Sequence, residues 1–517
     1  MATGTGVLVI VAGGNIGLIA DNDETRNTTV LRPATINEIK KIVLGNDRAD
    51  SILVREGSIK GVSIRVDFTE IKTEGLTKIT EAEDKDSAQV IPELWSELSR
   101  KINLNYEKYE GFVVLHGLDT MAYTASALSF MLRYLSFPVV LTGSQKPLNY
   151  ARTDAVQNII TAIHFAGARS IGISPTIPEV SVYSYDTLFR GNRVSMVNAS
   201  SYRAFDSPNY PPLSSIGEHI EIQNDLLKKQ ISDKRVFLRT KVNAKVVILD
   251  IFPGIDARIL NNLNVGEASV DGVILRTYGM GTAPTSPTLL NALSNLTNSG
   301  IVVLNVTQAR SGRISHGQDP VSLRLFEQGV ISGVDMTTEA AFAKLVIELS
   351  ENSDKEKVKD LLQIAICGEQ SQSIFNIHYS SDETRDEEEE GNYRALLSPQ
   401  YDITEKNLLS AEKILHIQLR ILGVEPVNIG NLTKVARAID FGAYLVDKQQ
   451  TDESTICSLK KDVLRWSPTG RQTINVAYDI THSKIHLLSP ETILRIDTNE
   501  PIKWKRLTIA IFSDYDG

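Results

Sequence analysis

Cysteine is almost missing from this chain: Cys367 and Cys457 are the only two in 517 residues. Two thiols so far apart exclude a disulfide framework and any multi-cysteine metal site, and they suit a reducing compartment. Histidine is sparse as well. The eight are scattered, with no i, i+4 pair flanking a glutamate, so zinc chemistry is unsupported. No apolar run approaches the roughly 20 residues that cross a bilayer. The run Val7-Leu8-Val9-Ile10-Val11 stops at Gly13-Gly14 and has no lysine or arginine ahead of it, so it reads as a buried strand rather than a leader. Basic charge is not in excess either. With 54 Lys and Arg against 63 Asp and Glu the net charge is −9, and such a chain gains nothing from counterion release on a polyanion. The expectations are a cytoplasmic protein with no membrane and no nucleic acid as partner.

Nucleotide cradles are missing too. Gly13-Gly14-Asn15-Ile16-Gly17 has the wrong spacing for G-x-G-x-x-G, no acidic residue ends a second strand to hold a ribose, and no G-x-x-x-x-G-K-[ST] occurs. No cofactor and no metal are expected. His116, at the end of an apolar strand, reads as a satisfied, partly buried histidine, since a lone imidazole seldom acts without an orienting partner.

The chain does carry a repeated local design over its first two thirds. Short β-branched runs at 6–11, 111–115, 138–141, 245–251, 272–276 and 301–305 alternate with amphipathic stretches such as 121–135 and 337–349. Runs that are apolar on both alternations are strands buried on both faces, and their alternation with helices indicates βαβ units around parallel sheets. Phe205-Asp206-Ser207-Pro208-Asn209-Tyr210-Pro211-Pro212 breaks that rhythm, because proline ends helices and central strands. Near 380–390 an acidic run ends in four consecutive glutamates, a block that repels itself and reads as a solvated linker. Beyond it, 404–422 and 432–446 show helical spacing, followed by strand-like runs at 474–477, 484–488 and 506–512. The expected organisation is an α/β domain over 1–200, an inter-domain connection over 201–244, a second α/β domain over 245–350, an acidic linker over 351–400, and an α+β extension of unassigned role over 401–517.

Two segments are specific. VLVIVAGGNIG (7–17) runs a strand into a glycine-rich turn, and GFVVLHGLDTMAYTASAL (111–128) ends a strand in Leu118-Asp119-Thr120 ahead of a helix. Together they resemble the two signatures of the asparaginase family, T-G-G-T-I-G and H-G-T-D-T-M-x-x-T-A. Matches at 139–145, 152–154, 189–193, 207–213, 275–281 and 329–339 extend the likeness over about residues 5–350, nearest to the type I, cytosolic branch. The resemblance implies two Rossmann-like α/β domains, a site at the carboxyl ends of the first domain's strands, and a dimer or tetramer. Strand-end loops are also where open parallel sheets bind ligands.

The family's chemistry requires groups that this chain replaces. Hydrolysis of a side-chain amide there uses a threonine in the first turn, a second threonine before the motif's aspartate, and a lysine that helps proton transfer; a neutral hydroxyl needs such help. By the resemblance these three positions fall on Asn15, Leu118 and Met196. The tyrosine usual after the first turn has no counterpart in 18–35, and the expected Y-G-S-G-N reads Tyr278-Gly279-Met280-Gly281-Thr282. Loss of a hydrolytic nucleophile costs on the order of 10⁶ in turnover, roughly 8 kcal/mol of barrier.

Binding positions survive better. Asp119 matches the aspartate that holds the substrate's α-amino group, and Asp86-Ser87-Ala88-Gln89 resembles the stretch whose serine holds the α-carboxylate. The expectation is a homologue with no catalytic residues, acting as a binding, scaffolding or regulatory protein. It would associate with itself or with an active paralogue. The alternatives are a working amidohydrolase whose nucleophile has moved to Thr120 or Thr142, and a sensor in which Asp119 and Ser87 grip a small amino acid.

Overall fold

The computed structural model describes residues 5–23, 28–45, 51–54, 62–71, 87–172, 176–217, 220–228, 236–266, 269–314 and 320–371; beyond residue 371 it describes only strands. Nine strands build the first sheet: β1 (Val7–Val11), β2 (Ser51–Val54), β3 (Val62–Glu70), β4 (Gly111–Leu115), β5 (Val139–Thr142), β6 (Val180–Ser184), β7 (Thr187–Arg190), β8 (Ser214–Ile216) and β9 (Ile220–Ile222). Their spatial order is β9-β8-β7-β6-β5-β4-β1-β3-β2. The five strands from β3 to β6 run parallel, and antiparallel ribbons close both edges.

Burial of the sheet on both faces follows from the two-sided apolar runs. Val7, Val9, Val11, Val113 and Leu115 join one apolar cluster, while Leu8, Ile10, Phe112 and Val114 join another on the opposite side. The clusters are closed by helices α1 (Ile36–Leu44), α2 (Pro92–Asn105), α3 (Leu118–Met131) and α4 (Ala155–Ala166). Local signals set their starts. Thr35 and Glu38 form a reciprocal capping box on α1, and Pro92 supplies the first turn of α2.

A second, all-parallel sheet follows, in the order β10 (Val246–Asp250), β11 (Gly272–Thr277), β12 (Val302–Thr307), β13 (Ile331–Ser332). Its main helices are α5 (Pro287–Asn298), α6 (Pro320–Glu327), α7 (Thr338–Glu351) and α8 (Lys355–Gln363). The two sheets' units share a core of their own: Trp95, Phe130 and Met131 from the first pack with Ala343, Ile347 and Cys367 from the second. Buried Glu348 on α7 takes both Arg133 (2.8 Å) and Arg239 (2.6 Å) across the same seam.

Part of the span expected to connect the domains is built into the first sheet, because β8 and β9 lie within 201–244. The prolines at 208, 211 and 212 only separate β8 from the short strand Phe205–Asp206. Asn209 then reaches the second unit, donating to the Asp335 carbonyl (2.9 Å) and accepting from the Gly312 amide (2.8 Å).

The C-terminal part departs from expectation. The spans read as helical, 404–422 and 432–446, instead carry strands β16 (Ile414–Leu422) and β17 (Arg437–Asp447), so the described part of the extension is all-β rather than α+β. With β14 (Ser373–Tyr379), β15 (Asn392–Leu396), β18 (Thr455–Trp466), β19 (Thr473–Tyr478), β20 (Thr492–Thr498) and β21 (Arg506–Ser513) they form two antiparallel four-stranded sheets. The physical reason lies in Ile417-Gln418-Leu419-Arg420-Ile421, where apolar and polar residues alternate strictly, the period of a half-buried strand.

Candidate functional site

From β1 the chain crosses to β3 on one side and then to β4 on the other, so the direction of winding reverses at β1. At such a reversal, doubly wound sheets leave a crevice for ligands outside the carboxyl ends of the strands, here those of β1 and β4. Asn15 and Leu118 sit in the two loops that flank it. The loops touch backbone to backbone, since a Cβ on Gly14 would overlap the main chain of Gly117. Gly14 also has a φ of 82°, in the left-handed region that only glycine enters freely.

Leu118 opens α3 and is 9% exposed. Its Cδ2 would stand 2.7 Å from a Cβ on Gly143, so the side chain lies over the end of β5. It belongs to the apolar cluster of Ile10, Val114, Met121 and Leu141, and Met196 packs against that same cluster from the short strand Ser195–Met196. Leu118 and Met196, two of the three positions that the resemblance assigns to the chemistry, thus meet the same apolar cluster. Asn15 is exposed in a single turn, Asn15–Gly17, where its Nδ2 donates to the Gln145 carbonyl at 3.2 Å. Gln145 is itself held: its amide donates to Asp154, and its Nε2 donates to the carbonyls of Ala199 (3.3 Å) and Ser201 (3.1 Å).

Asp119 is exposed in the first turn of α3, where a negative charge favours the helix dipole. Ser87 begins the turn Ser87–Gln89, which lies against α3, the helix that carries Asp119; the Ser87 side chain and Asp86 fall outside the described residues. Among the described residues no group of His, Cys, Asp and Glu is placed to hold a metal ion.

His116 is fully buried beneath this crevice. Its Nδ1 contacts the Gly117 carbonyl at 2.7 Å, so Nδ1 carries the proton and Nε2 accepts from the Thr124 hydroxyl at 3.0 Å. Thr124 in turn accepts from the Trp95 indole at 3.1 Å. Burial lowers the imidazole's pKa to about 4, and the Gly117 carbonyl opposes this only in part. A neutral ring with both nitrogens engaged is a strut.

Two polar neighbours that sequence reasoning did not single out lie beside Met196. The Ser195 hydroxyl donates to Glu339 Oε1 at 2.6 Å, linking the first unit to α7 of the second. Burial pushes the Glu339 carboxyl above its ordinary range, more strongly than the Ser195 hydrogen bond pulls it down. Only the position of Ser195 directly before Met196 hinted at this pair. Met280, where the resemblance expected a serine, is exposed at the tip of a turn closed by paired bonds between the Tyr278 and Thr282 backbones.

Behind these residues, the loop that carries Ser195 and Met196 is gripped by the segment that follows α8. Asn192 donates to the Cys367 carbonyl (2.9 Å) and Arg193 to the Gly368 carbonyl (2.8 Å). Arg193 also pairs with Asp335 at 3.0 Å, and Asp335 accepts from both the amide and the hydroxyl of Ser371.

Comparison with known proteins agrees with this architecture. Residues 6–228 match the family model "Asparaginase, N-terminal" and residues 245–362 match "Glutaminase/Asparaginase C-terminal domain". L-asparaginase 1 of Escherichia coli (strain K12) is 38% identical over 284 residues, 55% of this chain and 81% of its own. The human 60 kDa lysophospholipase is 37% identical over 285 residues, 55% of this chain and 48% of its own. The crystal structure of L-asparaginase I from Vibrio cholerae superposes with a TM-score of 0.59 at 32% identity, over 72% of this chain and all of that one. No helix among the described residues is long and apolar enough to cross a membrane. The chain belongs to the asparaginase family, with type I asparaginase as its homologue.

Proposed function

We propose that this asparaginase homologue is catalytically silent and acts by binding rather than by cutting an amide. The observation that carries the reading is Leu118, set 9% exposed into an apolar wall that Met196 extends. By the resemblance these are a hydroxyl and an ammonium position, and the third, Asn15, offers a delocalised amide that is no nucleophile. A wall of this kind disfavours a free side-chain amide or carboxylate, because a polar group buried without a partner costs roughly 2–7 kcal/mol. Asp119 stays exposed beside it and is suited to an ammonium group, so a small amino acid held by Asp119 and Ser87 is the ligand this reading favours. Its protein partners are a second copy of the chain or an active relative.

A displaced nucleophile finds less support. The Thr142 hydroxyl is fully buried and donates to the Tyr183 carbonyl at 3.0 Å. The imidazole beneath the crevice already accepts from Thr124. The deciding experiment assays ammonia release from asparagine by the natural protein and by the triple revertant Asn15→Thr, Leu118→Thr, Met196→Lys. Activity in the revertant alone is expected. Turnover by the natural protein within about a hundredfold of active relatives, some 3 kcal/mol of barrier, overturns the reading.

A further inference from the structure

After α8 the chain runs through residues 364–371, a segment with no helix or strand of its own, before Ser373 begins β14. The fastenings of this segment are mostly polar. The carbonyls of Cys367 and Gly368 accept from Asn192 (2.9 Å) and Arg193 (2.8 Å), and Ser371 gives its amide (2.7 Å) and its hydroxyl to Asp335. Glu369 pairs with Lys344 at 2.6 Å. Apolar anchorage is slight. Cys367 and the partly buried Ile366 reach the core shared by the two units, whereas Ile364 is exposed. Segments with few buried apolar contacts open locally at a lower cost than the whole protein unfolds.

Gln370, in the middle of these fastenings, opposes them. It is fully buried, and neither its Nε2 nor its Oε1 has a hydrogen-bonding partner. On the loop that the segment grips, Asn192 Oδ1 is buried without a partner as well. Buried polar atoms in native proteins are nearly always satisfied, so each exception asks for a reason. A buried amide that bonds to nothing has lost its bonds to water and gained none in return, and opening restores them. Gln370 therefore disfavours the closed arrangement alone, while its neighbours Glu369 and Ser371 hold that arrangement shut. Opposed terms of this kind within one short segment are the makings of a two-state element.

The segment also lies tightly on what it covers. Gly368 has a φ of 74°, and a Cβ there would stand 2.6 Å from Arg190 Nη1. Arg190 has no room to yield, being fully buried and held by Glu179 (2.6 Å) and the Leu226 carbonyl (2.7 Å). The turn beneath, closed by the Arg193 amide on the Arg190 carbonyl, leads directly into Ser195 and Met196.

We propose that residues 366–371 are a releasable strap, closed against the unpaired Gln370 amide, whose opening loosens the turn that leads into Ser195 and Met196. That the crevice beside Met196 binds a ligand rests on the reading above; the strap does not, and its test needs no ligand. Hydrogen exchange of the full-length protein, followed by mass spectrometry, reads both segments at once. The bonded amides of Ile366, Cys367 and Ser371 are expected to be protected, but at least about tenfold less than those of α4. Gln370→Met, unbranched and close in length, removes the unpaired amide and slows their exchange at least about tenfold. Gly368→Ala speeds it and also raises exchange across 190–197, while α4 keeps its parental rates. Strap amides that open only together with α4 overturn the proposal, as does a Gln370→Met protein that exchanges at parental rates or faster. So does Gly368→Ala if 190–197 stays unmoved, or if α4 loses protection with the strap, which would make the segment part of the core.

Discussion

Gly14 and Gly117 are in backbone contact, so the turn after β1 and the end of β4 form one continuous wall of the crevice. A Cβ at Gly14 meets main chain rather than a movable side chain, and it must also adopt a positive φ. Gly14→Ala is expected to cost at least about 3 kcal/mol. Urea or thermal melts measure it, and an alanine variant as stable as its parent would show that the two loops stand apart.

Leu118 gives a second expectation, because its side chain is structural on this reading. Leu118→Ala should destabilise by roughly 2–5 kcal/mol, with the cavity left beside Gly143 and Leu141 adding to the lost transfer term. Leu118→Met, close in volume, should cost less than about 1.5 kcal/mol. If both variants melt with the parent, the residue is not part of the core.

His116 sets a pH dependence. Its folded pKa of about 4 lies below the ordinary 6.5, so the unfolded chain takes up the proton first as pH falls. The stability is fully present above about pH 6.5 and is lost progressively down to about pH 4. At about 1.4 kcal/mol per unit the loss reaches on the order of 3 kcal/mol. Melts from neutral pH downward should show that fall in the parent and a shallower one in His116→Gln; parallel slopes would assign the acid sensitivity elsewhere.

Lys344 and Glu369 form an ion pair at 2.6 Å with both side chains fully buried. The lysine also donates to the carbonyls of Leu362 and Ile364, and the glutamate accepts from the amides of Ile366 and Cys367. Burial is the largest single influence and would raise the Glu369 carboxyl, but the Lys344 charge, its hydrogen bond and the Ile366 and Cys367 amides together hold the group below its ordinary range. Lys344→Met alone strands a buried carboxylate and should cost about 3–5 kcal/mol. Adding Glu369→Gln should recover part of that loss, so a double-mutant cycle in which the two effects simply add would contradict the pairing.

Sequence legibility followed the length of the signal. The apolar runs at Val7 and Gly111 announce a two-faced parallel sheet, and their glycine-rich and Leu-Asp-Thr endings mark the two loops that meet at Gly14 and Gly117. The extension was misjudged because its apolar residues come in short groups, and Ile414-Leu415 at the head of β16 blurs the strict alternation that follows. The partners of Asn15 and Ser195 were not legible at all. Gln145 and Glu339 lie 130 and 144 residues away in sequence, and only the folded sheets bring them near.

The grip of Asn192 and Arg193 on the carbonyls of Cys367 and Gly368 decides where this chain can be divided. A chain ended in the acidic stretch around 380–390 would lack the strands from β15 onward and keep an asparaginase-like body still fastened by its own closing segment. A cut near residue 350, where the sequence rhythm changes, would instead remove that fastening together with α8. The seam between the asparaginase-like body and the sheets that follow it therefore falls some twenty residues later than the rhythm alone suggests.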